Sequence, residues 1–176
     1  TGWLTLYAGI AGGADIILLP EIPYSPEVVA AAVRKRAESG KAFSILAVAE
    51  GAMSKEEAKL KRKERLRLRA EAGYKQVSDQ IASFVEEKTG CETRVVVPGH
   101  LQRGGNPSAY DRVLSTRFGA YAARLIQEKK FGVTVAMKGN TVTENKLSEI
   151  AGKAKLVSPD DQMIQVAKDM GISFGD

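Results

Sequence analysis

Two short stretches hold side chains equipped to bind or transform a ligand. In AVAEG, Glu50 follows directly on an apolar run and precedes Gly51; in PGHLQRGG, His100 and Arg103 lie three residues apart between Gly99 and the pair Gly104-Gly105. A carboxylate just past a strand occupies the end of an open α/β sheet where ligands bind. An imidazole and a guanidinium beside backbone amides that glycine leaves accessible are equipment for phosphate. Each has a plainer reading. Glu50 serves equally well as a turn or helix-capping carboxylate. A satisfied core histidine with a surface arginine is the stronger reading of His100 and Arg103 taken alone.

Other combinations fall away. Cys91 and His100 are nine positions apart in an expected strand, at roughly 3.3 Å per residue, and cannot meet there as nucleophile and base. Gly9, Gly12 and Gly13 form no GxGxxG with a following acidic strand end, and no GxxxxGK[ST] occurs, so helix packing accounts for those glycines. One cysteine and one histidine in 176 residues supply neither an intrachain disulfide nor a zinc site of sulfur and imidazole.

The elements that hold these residues can be read along the chain. WLTLYAGIAGGAD predicts a buried helix through Leu4, Leu6, Tyr7 and Ile10, and DIILLPE a strand covered on both faces. Ser25, Pro26 and Glu27 open a helix with a stripe of Val28, Val29, Ala32 and Val33, which Gly40 stops. FSILAVAEG is a second buried strand, and Ser54 with Glu57 makes a capping box for a basic helix that Gly73 interrupts. Val77, Ile81, Phe84 and Val85 mark another helix, and ETRVVVPG a third strand. Pro107 opens a long helix with Val113, Leu114, Phe118, Tyr121, Leu125 and Ile126 on one face; VTVAM is a fourth strand, and Ser158, Pro159 and Asp161 lead into a last helix. Strands alternating with helices predict α/β, with a three-layer α/β/α arrangement around a mostly parallel sheet.

Composition is ordinary for a globular chain, with 44% apolar and 27% charged residues, which excludes disordered and collagen-like classes. The net charge of +5 is local. Residues 54–72 hold eight basic and four acidic side chains, leaving a remainder of +1. No aromatic residue interleaves those charges, so a solvated helix is favoured over a nucleic-acid surface. No stretch approaches eighteen uncharged apolar residues and no basic start leads into an apolar run, so no membrane partner and a cytoplasmic location are expected.

Taken in order, GWLTLYAGIAGGADIILLPE, AVAEG and ETRVVVPGHLQRGGNPSAYDRV resemble the carboxyl-terminal part of 6-phosphofructokinases. The basic helix makes the chain similar to a longer branch with ATP-dependent and pyrophosphate-dependent members. The resemblance reverses the order of preference for His100 and Arg103. It implies transfer of a phosphoryl group from ATP or pyrophosphate to fructose 6-phosphate with Mg²⁺, in glycolysis, on a Rossmann-like half of that fold. Glu50 would hold sugar hydroxyls, Arg94 and His100 the 6-phosphate, and His100, Leu101, Gln102 and Arg103 would line the pocket. Residues 1–102 would form the sugar-phosphate-binding domain, 103–154 would return to the donor-binding domain, and 155–176 would cross back.

The family's phosphate loop and catalytic aspartate are implied to lie in an amino-terminal half outside these residues. Hence no catalytic residue or metal ligand is expected within them, and the fragment alone should be inactive. A stand-alone sugar-phosphate module and a nucleic-acid-binding protein are the alternatives. At the family's effector site Asp15 and Lys41 fit two positions, but Ser39 replaces a lysine, so effector control of that kind is not expected. A strand from Arg94 to His100 would separate their backbones by roughly 20 Å. Two groups on one phosphate would then come from different chains unless the strand bends sharply, in keeping with the homodimer or homotetramer that the resemblance implies. The competing reading of Arg94 is a surface pair with Glu92.

Overall fold

The computed structural model describes residues 2–176. In chain order it runs α1 (Trp3–Ala11), β1 (Ile16–Leu18), α2 (Pro26–Glu38), β2 (Leu46–Val48), a 3-10 turn (Glu57–Lys59), α3 (Arg62–Glu71), α4 (Val77–Thr89), a second 3-10 turn (Gly99–Arg103), α5 (Ala109–Gln127), β3 (Val133–Lys138), β4 (Thr141–Lys146), α6 (Leu147–Ile150) and α7 (Gln162–Asp169). Two compact units result: the residues up to Val96 with Lys155–Asp176, and Val97–Ala154.

The first unit is built on β1, whose side chains divide between two cores because strand residues alternate faces. Ile16 and Leu18 join Val29 and Val33 of α2 and Val77, Ile81 and Val85 of α4. Ile17 and Leu19 join Leu6 of α1 and Ile164 and Ala167 of α7. That is the three-layer α/β/α arrangement. β2 lies parallel to β1, with Ile16 opposite Leu46 and Leu18 opposite Val48, and α2 is the crossover that parallel pairing requires. On the other edge Ile17 N donates to Ser173 O (2.8 Å) and Ser173 N to Asp15 O (3.0 Å). α1 lies tightly on the sheet: a Cβ on Gly9 would stand 2.7 Å from Ile17 Cδ1, so this glycine answers to packing. The buried side of α1 carries Leu6 and Gly9, whereas Leu4 and Tyr7, expected inside, are exposed.

The third expected strand is not formed. No ladder hydrogen bonds are assigned to residues 91–98 among the described residues, and Val96 is 83% exposed. A β-branched run shows that a segment suits a pleat; the neighbour it needs is specified elsewhere.

In the second unit β3 pairs antiparallel with β4, Val133 opposite Lys146 and Lys138 opposite Thr141. β4 and α6 go beyond the sequence reading, since TVTENK is mostly polar; Gly139-Asn140 between two short strands is the hairpin signal that could have found β4. Ser108 and Asp111 form a reciprocal capping box at the start of α5. Leu125 is the one buried residue among those described in this unit, while Val113 and Ile126 of the expected inner face are exposed.

Candidate functional site

Glu50 sits at the corner of a tight turn between two fixed flanks. On the entry side Ala49 N donates to Leu18 O (2.9 Å), and the turn closes with Ala52 N on Ala49 O (2.9 Å). On the exit side Tyr24 N donates to Met53 O (3.1 Å) and Lys55 N to Tyr24 O (2.8 Å). Pro20 stands against the corner, 3.2 Å from where a Cβ of Gly51 would lie. The Glu50 side chain is exposed and has no hydrogen-bonding or ion-pair partner among the described residues. The capping duty falls to Glu57: its Oε2 accepts from Ser54 N (2.9 Å), and Ser54 Oγ accepts from Glu57 N (3.1 Å). The box therefore closes the short 3-10 turn ahead of α3.

The basic segment has an inner face that charge counting missed. Arg69 Nη2 pairs with Glu57 Oε1 at 2.8 Å, and Arg69 Nε donates to Gln80 Oε1 of α4 at 3.0 Å. One helical turn earlier, Arg65 Nη1 approaches Met53 Sδ at 3.2 Å. Burial, and next to it the Glu57 carboxylate, push the Tyr24 hydroxyl well above its usual range. Lys61, Arg62, Lys63 and Arg67 remain exposed. Spacing offers a signal: Arg65 and Arg69 are four apart and share a helix face, but residue type does not separate them from the outward arginines.

Arg94 makes the surface pair foreseen as its plainer reading, with Nε and Nη2 donating to Glu92 Oε1 at 3.0 and 2.9 Å. Both side chains are largely exposed. No strand runs from Arg94 to His100, so strand length neither sets their separation nor requires them to come from different chains.

In the second unit His100, Leu101, Gln102 and Arg103 share one 3-10 turn and are all exposed. Leu101 N donates to Pro98 O (3.1 Å) and Gly104 N to Leu101 O (3.0 Å). A 3-10 helix has three residues per turn, so His100 and Arg103 lie on the same side. Left-handed backbone at Gly99 (φ 53°) and Gly105 (φ 93°) frames the turn and favours glycine at both ends. His100 is thus not a core histidine. Neither it nor Arg103 has a protein partner among the described residues.

Asp15 is fully engaged: Oδ1 pairs with Arg36 Nη1 at 2.9 Å and Oδ2 accepts from Ile45 N at 2.8 Å. Among the described residues no three His, Cys, Asp or Glu side chains gather into a group that could hold a metal ion, and no helix is long and apolar enough to cross a membrane.

The family model described as Phosphofructokinase matches residues 1–126. The ATP-dependent 6-phosphofructokinase of Spirochaeta thermophila is 47% identical over 175 residues, 99% of this chain and 48% of that protein. The pyrophosphate–fructose 6-phosphate 1-phosphotransferase of Amycolatopsis methanolica is 42% identical over 159 residues, 90% of this chain and 46% of that protein. A solved structure, the pyrophosphate-dependent phosphofructokinase of Nitrosospira multiformis, superposes with a TM-score of 0.70 at 19% identity, covering 100% of this chain and 46% of that one, a likeness of fold. The chain spans about half the length of the curated relatives it matches.

Proposed function

This chain belongs to the phosphofructokinase family, and we propose that it works as about half of an enzyme that moves a phosphoryl group from ATP or pyrophosphate to fructose 6-phosphate. The observation that carries the reading is the exposed, unpartnered turn His100–Arg103. Two cationic or donor side chains on one side of a glycine-framed turn are suited to a sugar phosphate. Glu50, equally free, accepts from sugar hydroxyls, and Leu101 and Gln102 of the His100–Arg103 turn contribute to holding the sugar phosphate.

Residues 1–102 are assigned to the sugar-phosphate-binding domain, 103–154 to a segment that completes the donor-binding domain, and 155–176 to a tail returning to the first. The compact grouping of Val97–Ala154 supports a division of this kind. So do the exposed apolar Tyr110, Val113, Ile126 and Phe131 in that segment, a surface suited to cover by another part of the enzyme. Mg²⁺ would be held on the donor side and would neutralise charge on the transferred phosphoryl group. Family likeness alone supports a place in glycolysis in the cytoplasm, and a homodimer or homotetramer in which Arg94 reaches the 6-phosphate of a neighbouring subunit. The test is a coupled assay for fructose 1,6-bisphosphate with each donor in turn. The full-length enzyme should turn over with one or both donors, and residues 1–176 alone with neither. Turnover by the isolated chain would overturn this division of labour.

A further inference from the structure

The buried Arg69–Glu57 pair is a costly way to attach a solvated helix. The two side chains are 6% and 13% exposed, and well-packed apolar residues often replace such a pair without loss of stability. What a forked guanidinium adds is fixed geometry. Here that geometry reaches Ser54, on the exit side of the turn that carries Glu50. Arg69 holds one oxygen of Glu57 while the other accepts from Ser54 N at 2.9 Å. Ser54 closes the exit flank of that turn, bridging to Tyr24. Arg69 is itself oriented by Gln80 of α4, and Arg65 presses on Met53 from the same helix face. The entry flank is held by the sheet; the exit flank is held by its backbone bridge to Tyr24 and, through Glu57 and Met53, by Arg69 and Arg65 of α3.

We propose that Arg69 is a positioning residue for Glu50, and that the basic helix sets the affinity of the sugar site through the path Arg69, Glu57, Ser54. The inference rests on the reading of Glu50 as a ligand of sugar hydroxyls. Its outward charges have no part in this role.

The test measures kcat and KM for fructose 6-phosphate at saturating donor in the full-length enzyme, together with thermal unfolding. Arg69→Met should raise KM about tenfold with kcat kept, the signature of a weakened contact that ground state and transition state share. Arg69→Lys, with a single ammonium that cannot serve Glu57 and Gln80 in fork geometry, should fall between the two. In a Glu50→Gln background the further effect of Arg69→Met should shrink to less than about twofold, because the two residues act through one contact. A merely structural Arg69 would instead lower the folded fraction, and so kcat, in both backgrounds alike. Equal effects on KM in both backgrounds, or a fall in kcat with KM unchanged, overturn the role of Arg69 and leave Glu50 in place. An unchanged KM in Glu50→Gln alone overturns the sugar-ligand reading and this proposal with it. If Arg69→Met does not fold, Arg69→Lys decides, and an unchanged KM there is refutation.

Discussion

Replacing His100 with asparagine separates ligand binding from folding more cleanly than any other change at the site. The imidazole is exposed and bonds to no described residue, and its turn is closed by backbone groups of Pro98, Leu101 and Gly104. Folding stability should therefore stay within about 0.5 kcal/mol of the parent, as for other surface changes. Loss of one hydrogen bond to a phosphate dianion costs about 1.5 to 3 kcal/mol. At about 1.4 kcal/mol per tenfold, binding should weaken by roughly 10- to 150-fold.

Calorimetry on the full-length enzyme reads this directly, with fructose 6-phosphate and fructose as paired ligands. His100→Asn should lose affinity for the phosphorylated sugar and leave fructose unaffected, while Glu50→Gln should weaken both, because a carboxylate accepts from hydroxyls common to the two. Equal loss for fructose in the His100 variant would refute its assignment to the phosphate. A marked drop in unfolding temperature would refute the claim that it has no part in the fold.

Gly9→Ala sets a helix-propensity gain of at most about 1 kcal/mol against an overpacking cost of about 1 to 3 kcal/mol, because the new Cβ would stand 2.7 Å from Ile17 Cδ1; urea unfolding should show a net loss, and a more stable variant would contradict the close approach of α1 to β1. Mixing inactive full-length Arg94→Ala and Glu50→Ala chains under subunit exchange should restore part of the activity, since some hybrid pockets contain neither defect. No recovery despite demonstrated exchange would put both residues in one chain's pocket.

Elements are legible in the sequence where local signals and burial agree. Ile16 to Leu19 form an unbroken apolar run because β1 is covered on both faces, and Ser25-Pro26 opens α2 as its capping chemistry requires. They are not legible where the deciding partner is distant in sequence. Val95 to Val97 suit a strand, yet no described neighbour pairs with them. The inward turn of Arg69 depends on Glu57 and Gln80, neither adjacent to it in sequence. At the site, residue types were legible while their availability was not, since an exposed histidine and a core histidine are written with the same letter.

Availability is what the structure adds, and it follows from competition between neighbours of like chemistry. Glu50 and Glu57 are both carboxylates near one turn, but only Glu57 lies three residues after Ser54, where a capping box needs its acid. Glu57 takes that amide and Arg69 as well, so Glu50 is left without a partner at the exposed corner. Arg94 presents the reverse case, since it already has Glu92. An ion pair this exposed is worth at most about 1 kcal/mol, whereas a hydrogen bond to a charged phosphate contributes about 1.5 to 3 kcal/mol. The balance favours exchange of partners, so the pair with Glu92 is compatible with the proposed role of Arg94 at a 6-phosphate.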